Sequence, residues 1–205
     1  GGRGREARDT GEALNAAAPA PVWEFRGFLA DDDRSAPLLA ARAVGVVGPV
    51  EHLHDLDADY VIAIGDPSVR RAVDGIATDA GRRPATLVHP SAQVGSAVRL
   101  GPGAYVGPGA ILTTNVTVGR HTIVNVAATL SHDVVVGEFA TIGPGSHLAG
   151  NVRVGDDADL GVGVVARPGS VIGAGTVVGA GAVVVGDLAP GVVAVGVPAA
   201  PLGPS

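Results

Sequence analysis

Written in sixes from Leu87 to Leu188, the sequence runs LVHPSA, QVGSAV, RLGPGA, YVGPGA, ILTTNV, TVGRHT, IVNVAA, TLSHDV, VVGEFA, TIGPGS, HLAGNV, RVGDDA, DLGVGV, VARPGS, VIGAGT, VVGAGA, VVVGDL, without an insertion. The second place is always Val, Leu or Ile, apart from Ala166, and the third is most often Gly. The sixth is nearly always small or β-branched. A period of six fits neither an amphipathic helix nor an alternating strand. It is the pattern of a parallel β-helix made of hexapeptide repeats. Each hexad supplies one short flat side and a corner, and three sides close a triangular coil. Residues eighteen apart then stack on neighbouring coils at about 4.8 Å, the spacing of strands in a sheet. The aliphatic second residue points inward, and Gly, Asn and Asp near the corners supply the backbone angles that other residues resist. No coil can bury its own inner face, so stability belongs to the stack.

Outside this stretch the chain changes character. GGRGRE at the start reads as a glycine-rich turn entering a helix with its body at Arg5–Leu14. Such a loop normally follows a strand, so a short first strand is expected upstream of Gly1. Val22–Leu29 is a candidate strand, 30–36 a loop, Val44–Val47 a short apolar element, and Glu51–Leu56 a helical turn. Tyr60–Ile64 reads as a buried strand, and Asp66–Ala80 as a helix with Pro67 in its first turn and Val69, Val73 and Ile76 on one face. Alternating strands and helices predict a small α/β unit with a parallel sheet. A last strand is expected near Val192–Val195, followed by a tail packed on the end of the prism.

Composition narrows the function. The net charge of −6 argues against a nucleic-acid binder, which needs a basic stripe. No cysteine is present, which excludes disulfides, thiolate metal sites and a cysteine nucleophile. No apolar run is long enough to span a membrane and no signal peptide is visible, so a cytoplasmic protein is expected. One hexad, TLSHDV, departs from the pattern: Ser131, His132 and Asp133 stand where most coils carry Gly and small residues. By the register, His132 lies between Thr114 on one coil and Gly150 on the next. A histidine beside a carboxylate on an outer edge suits a general base near neutral pH. From spacing alone it suits an ordinary surface histidine equally.

The chain resembles the sialic acid O-acetyltransferase and nucleotide-sugar N-acetyltransferase family. The matching text runs nearly end to end: GGRGRE, GFLADDD (27–33), VIAIGDPSVRR (61–71), LVHPSA (87–92), NVAATLSHDVVVGEF (125–139), AGNVRVG (149–155) and VGVPA (195–199). The resemblance implies a Rossmann-like nucleotide-sugar domain at 1–84, then a left-handed β-helix acyltransferase domain with a C-terminal tail at 85–205. It implies a homotrimer with sites in the clefts between prisms. It implies transfer from acetyl-CoA to a nucleotide-linked amino sugar, or O-acetylation of a sugar. The cosubstrates expected are acetyl-CoA and a nucleotide sugar, with no metal, nucleic acid or membrane partner.

The family's catalytic base falls on His132 with Asp133 beside it, and an acceptor-holding Asn on Asn125. Gly150 matches a glycine lying against coenzyme A. Gly2 and Gly4 match the nucleotide loop, where Arg3 replaces a frequent His. Asp31 and Asp32 follow the second strand, where a carboxylate commonly meets a ribose or base; a solvated loop accounts for them equally. Gly65 and Asp66 are expected to face the same crevice. Thr141 stands where many members carry a second His near coenzyme A. Ala200 replaces the usual cation after VGVPA, so Arg153 or Arg167 is expected to meet the coenzyme's 3′-phosphate. His121, His132 and His147 also raise a rival reading, a three-histidine zinc site between subunits as in γ-class carbonic anhydrases, which share the β-helix. A non-catalytic scaffold is the third possibility.

Overall fold

The structure is a computed structural model that describes residues 2–31 and 45–202. The chain forms two compact units, Gly1–Ala85 and Thr86–Ser205.

The second unit is the β-helix. Its strands fall into sheets of six, five and eight strands, the three faces of a prism, parallel except for the last strand of the eight-stranded sheet. Register follows the period: Thr129 and Leu130 pair with His147 and Leu148, eighteen residues on, and with Ile111 and Leu112, eighteen back. Second-place residues from Val106 to Val184 are buried, and so are sixth-place residues from Ala104 to Leu188. Each fully buried Leu, Ile or Val contributes roughly 1.5–3 kcal/mol of transfer free energy. Two polar sixth-place residues, Thr122 and Ser146, are satisfied across coils. Ser146 Oγ donates to the Gly161 carbonyl at 3.0 Å and accepts from Val164 N at 3.2 Å, and Thr122 bridges Gly137 and Ala140 in the same way. The corners turn through a left-handed residue at the fifth place. Glycine fills many of these positions, but Ala97, Asn115, His121, Ala127, Asp133, Phe139, Asn151 and Asp157 adopt it too, with φ between 49° and 62°. Third-place glycines serve close stacking instead: a Cβ on Gly119 would lie 2.5 Å from the Gly137 carbonyl carbon of the next coil. The expected last strand forms at Val193–Val195, and Ala200–Pro201 turns back antiparallel upon it.

The first unit corrects the expectation of a Rossmann-like α/β domain. Among the described residues it holds helix α1 (Gly2–Ala17), one pair of short parallel strands (Phe28–Leu29 with Val46–Gly48), a 3-10 turn (Val50–His54) and helix α2 (Pro67–Asp79). Its small core gathers Val50, Leu53, Tyr60, Ile62 and Ala77. No multi-stranded sheet with flanking helices is present among those residues. The expected strands fail because their backbone groups bond elsewhere. Val22 N and Trp23 N both donate to Asn15 Oδ1 of α1, so only the last two residues of Val22–Leu29 form a ladder. Tyr60–Ile64 makes a single bridge, Tyr60 to Pro84, and the carbonyls of Ile64 and Gly65 accept from the buried Arg70 guanidinium at 2.9 and 2.8 Å. The expected glycine loop is also absent, since α1 begins at Gly2. Helix α2 forms as expected, but buries Arg70, Asp74 and Ala77 and exposes Val69. Val44 lies outside the described residues.

Candidate functional site

Each corner of the prism is a column of turns eighteen residues apart. At the corner that follows the six-stranded face, the third places read Gly95, Thr113, Ser131, Ala149, Arg167, the fourth Ser96, Thr114, His132, Gly150, Pro168, and the fifth Ala97, Asn115, Asp133, Asn151, Gly169. Here the usual third-place glycine gives way to residues with side chains, and polar groups from three coils meet. The turn is held by Asp133 N donating to the Thr114 carbonyl at 3.1 Å and Asn151 N donating to the His132 carbonyl at 2.9 Å.

The left-handed turn at Asp133, φ 62°, brings its carboxylate back beside the preceding ring. His132 Nδ1 lies 2.8 Å from Asp133 Oδ2, with the two side chains 55% and 43% exposed, so the pair is open to a ligand. Asp133 Oδ1 accepts from Asn115 Nδ2, one coil away, at 2.5 Å. These contacts, the Asn115 hydrogen bond first and His132 second, hold the Asp133 carboxyl below the usual carboxylate range. An ionised carboxylate only accepts hydrogen bonds, so the proton between the two groups sits on His132 Nδ1. The lone pair is then on Nε2. That atom lies at Gly150: a Cβ there would stand 2.4 Å from both Cε1 and Nε2. Gly150 therefore leaves the space that the ring occupies. The arrangement is an oriented imidazole whose free nitrogen reaches the lip of the next coil, the geometry of a general base.

The other expected residues fall in several places. Arg167 is exposed at the same corner, two coils beyond Ser131, and Arg153 is exposed on the five-stranded face next to it. Asn125 belongs to the preceding corner of the coil that carries His132. It is buried, and its Oδ1 accepts from Val126 N at 2.7 Å. Thr141 is buried on the eight-stranded face between Ile123 and Asp159, away from this corner.

In the first unit, Gly2, Arg3 and Gly4 form the start of α1 rather than a loop. Asp31 Oδ1 accepts from Val50 N at 2.8 Å and so holds the start of the 3-10 turn. Asp32 lies outside the described residues. Gly65 offers its carbonyl to Arg70, and Asp66 caps α2 by accepting from Ser68 N and Val69 N. The bond from the Ser68 hydroxyl, and next that from Val69 N, lowers the Asp66 carboxyl below its ordinary range.

The remaining histidines of interest are dispersed. His121 is buried at the corner after the five-stranded face and stacks on Phe139 at 5.5 Å between ring centres. His147 is exposed on the six-stranded face, with Nδ1 2.8 Å from Thr129 Oγ1. Among the described residues no group of three or more His, Asp or Glu is arranged to hold a metal ion. Asn115 is the one member of the site that the hexad reading overlooked; it stands eighteen residues before Asp133, and the coil period alone would have found it.

Comparison with known proteins adds chemistry to this geometry. No family model matches the sequence, and no curated protein does. Solved structures do. The acetyltransferase domain of PglB from Neisseria gonorrhoeae, in complex with acetyl coenzyme A, is 32% identical over 98% of this chain and 95% of its own, with a TM-score of 0.89. PerB from Caulobacter crescentus, in complex with CoA and GDP-perosamine, is 36% identical over 99% and 94%, with a TM-score of 0.88. WeeI from Acinetobacter baumannii is 26% identical over 95% and 94%, with a TM-score of 0.81.

Proposed function

Since this chain belongs to the hexapeptide-repeat, left-handed β-helix family of sugar N-acetyltransferases, we propose that it moves the acetyl group of acetyl-CoA onto the amino group of a nucleotide-linked sugar. The observation that carries this reading is its full-length likeness to PerB, whose structure holds both CoA and GDP-perosamine. The likeness to N-acetyltransferases also favours an amine acceptor over the hydroxyl of the O-acetylating alternative.

The corner at His132 supplies the chemistry. The sugar nitrogen attacks the thioester carbonyl, the C–N bond forms, and His132 Nε2 takes the proton that the nitrogen sheds. The tetrahedral centre then collapses, the C–S bond breaks and CoA leaves. Asp133 keeps the Nδ1 proton in place and balances the imidazolium as it forms. Backbone N–H groups near Gly150 are the candidates to receive the developing oxyanion. No acyl-enzyme intervenes, so the nucleophile is the acceptor itself. Gly150, Arg153 and Arg167 lie along the surface expected to take CoA, with Thr141 the weakest of the expected contacts because it is buried.

A homotrimer is part of the proposal. Outward-facing Val165, Val171, Val177 and Val193 are each about two-fifths exposed, and they form an apolar belt on the later coils. Asn125 and His132 stand at neighbouring corners of one coil, so a packed prism can bring the Asn125 of one subunit towards the His132 of another. A cytoplasmic setting belongs to the same reading, since both cosubstrates are made there; among the described residues no helix is long and apolar enough to cross a membrane.

The reading is tested by acetyl transfer to a panel of nucleotide-linked amino sugars, followed by CoA release, on metal-free protein. One acceptor is expected to turn over with acetyl-CoA. His132→Ala is expected to lower kcat by roughly 10²–10⁴-fold while the assembly and the fold are unchanged. Near-normal turnover in that variant would refute the role of His132, and no transfer to any acceptor, with zinc-dependent CO₂ hydration in its place, would refute the acyltransferase reading.

A further inference from the structure

Asp133 is a short, exposed side chain on a turn, and one hydrogen bond to the neighbouring ring leaves it free to rotate. The second anchor comes from the coil before: Asn115 Nδ2 donates to Asp133 Oδ1 at 2.5 Å while His132 Nδ1 meets Oδ2 at 2.8 Å. The two oxygens are thus each occupied, one from within the coil and one from the coil before. We infer that Asn115 is a positioning residue of the site, fixing the Asp133 carboxylate and, through it, the orientation and proton of the His132 ring. The inference rests on the acyl-transfer reading of His132 given above.

The alternative is that Asn115 is present only for its backbone. It adopts φ 58°, a left-handed angle that Asn tolerates well. That account is insufficient, because the same place at this corner is left-handed with Ala97 and Gly169, and the fifth place of other hexads is left-handed with His121, Ala127, Phe139 and Gly145. The corner therefore does not require Asn. What distinguishes position 115 is that it is stacked eighteen residues below the only left-handed Asp, among the described residues, that follows a His. Its backbone is already secured by Asn115 N donating to the Ser96 carbonyl at 3.0 Å, so the amide side chain is not needed to close the turn. An amide is also suited to this role, because it donates to a carboxylate without carrying a charge that would compete with the imidazolium.

Two variants separate the roles. Asn115→Gly keeps the left-handed turn and removes the amide. Asn115→Asp keeps the turn and the shape but sets a carboxylate against Asp133. Each is measured in two ways: steady-state acetyl transfer, and the ring tautomer of His132 from nitrogen–proton correlation spectra of histidine-labelled protein, assigned with His132→Asn. Wild type is expected to hold the Nδ1–H tautomer. Asn115→Gly is expected to shift the ring towards Nε2–H and to lower kcat about tenfold, with KM for acetyl-CoA within about twofold. Asn115→Asp is expected to do at least as much. Wild-type kcat and an unchanged tautomer in both variants would overturn the inference, as would an Nε2–H tautomer in wild type. If His132→Ala is inactive and the Asn115 variants are normal, only this inference falls. If His132→Ala is active, the general-base reading falls, and the tautomer still reports whether Asn115 positions the ring.

Discussion

Replacing Gly150 with Ala tests how tightly the site is built. The added Cβ would stand 2.4 Å from His132 Cε1 and Nε2, against about 3.5–4.0 Å for a comfortable contact between carbon atoms. The ring must therefore retreat by about 1 Å or more. Gly150 does not have a left-handed φ, so Ala brings no backbone strain of its own. The His132 side chain is 55% exposed and can swing outward cheaply. Stability is expected to change by less than about 1 kcal/mol. Catalysis is another matter, because swinging outward breaks the 2.8 Å contact with Asp133 and misplaces the base. A displacement of that size costs about 10²-fold in rate. The assay is kcat for acetyl transfer in a double-mutant cycle of Gly150→Ala with His132→Ala. If the glycine acts by housing the ring, Gly150→Ala costs nothing further once the ring is gone, and the two effects are strongly non-additive. Additive losses, or a raised KM for acetyl-CoA in both backgrounds, would refute this reasoning and assign Gly150 to the coenzyme alone.

Two further outcomes follow from the stack and from the dyad. Leu130→Ala removes a fully buried second-place side chain from the middle of the prism and is expected to destabilise the β-helix by about 2–5 kcal/mol, read from denaturant unfolding; a change below about 1 kcal/mol would mean that the coils relax around the gap. The Asp133 carboxyl, held low by Asn115 and His132, is expected to titrate below 3.8 when followed by carboxyl NMR. A depressed folded-state value means that its contribution is present above the unfolded value and is lost as pH falls through the folded one. Asn115→Gly is expected to move the titration upward, and an unmoved titration would show that the hydrogen bond is not maintained in solution.

How much of this was legible beforehand differs between the two units. In the β-helix the period of six specifies which side chains go inward, because each hexad makes its own strand and finds its partner at a fixed distance along the chain. His132–Asp133 was visible because it breaks that pattern. Asn115 was not, because alone it looks like any corner residue; its role appears only when the sequence is read in eighteens. The same reading isolates the whole corner, since it is where Thr113, Ser131, Ala149 and Arg167 interrupt the third-place glycines found at Gly101, Gly119, Gly137, Gly155 and Gly173. In the first unit the strand-like runs Val22–Leu29 and Tyr60–Ile64 misled. A strand needs a neighbour's backbone, and here Asn15 and Arg70 took up the groups that a sheet would have used. Hydrophobic periodicity carries no record of such side-chain partners. The Rossmann-like expectation failed for that reason.

The turn-back of Ala200–Pro201 on Val193–Val195 bears on how the protein avoids its own kind. A stack of identical coils ends in an open row of backbone donors and acceptors, and such a row is a template on which another chain can continue the sheet. Here the eight-stranded face stops the series by reversing direction, with Pro201 opposite Ala194 and Ala200 opposite Val195. Proline has no N–H to offer a further strand. A fold whose repeats would otherwise invite endless end-to-end growth thus carries its own terminator on its longest face.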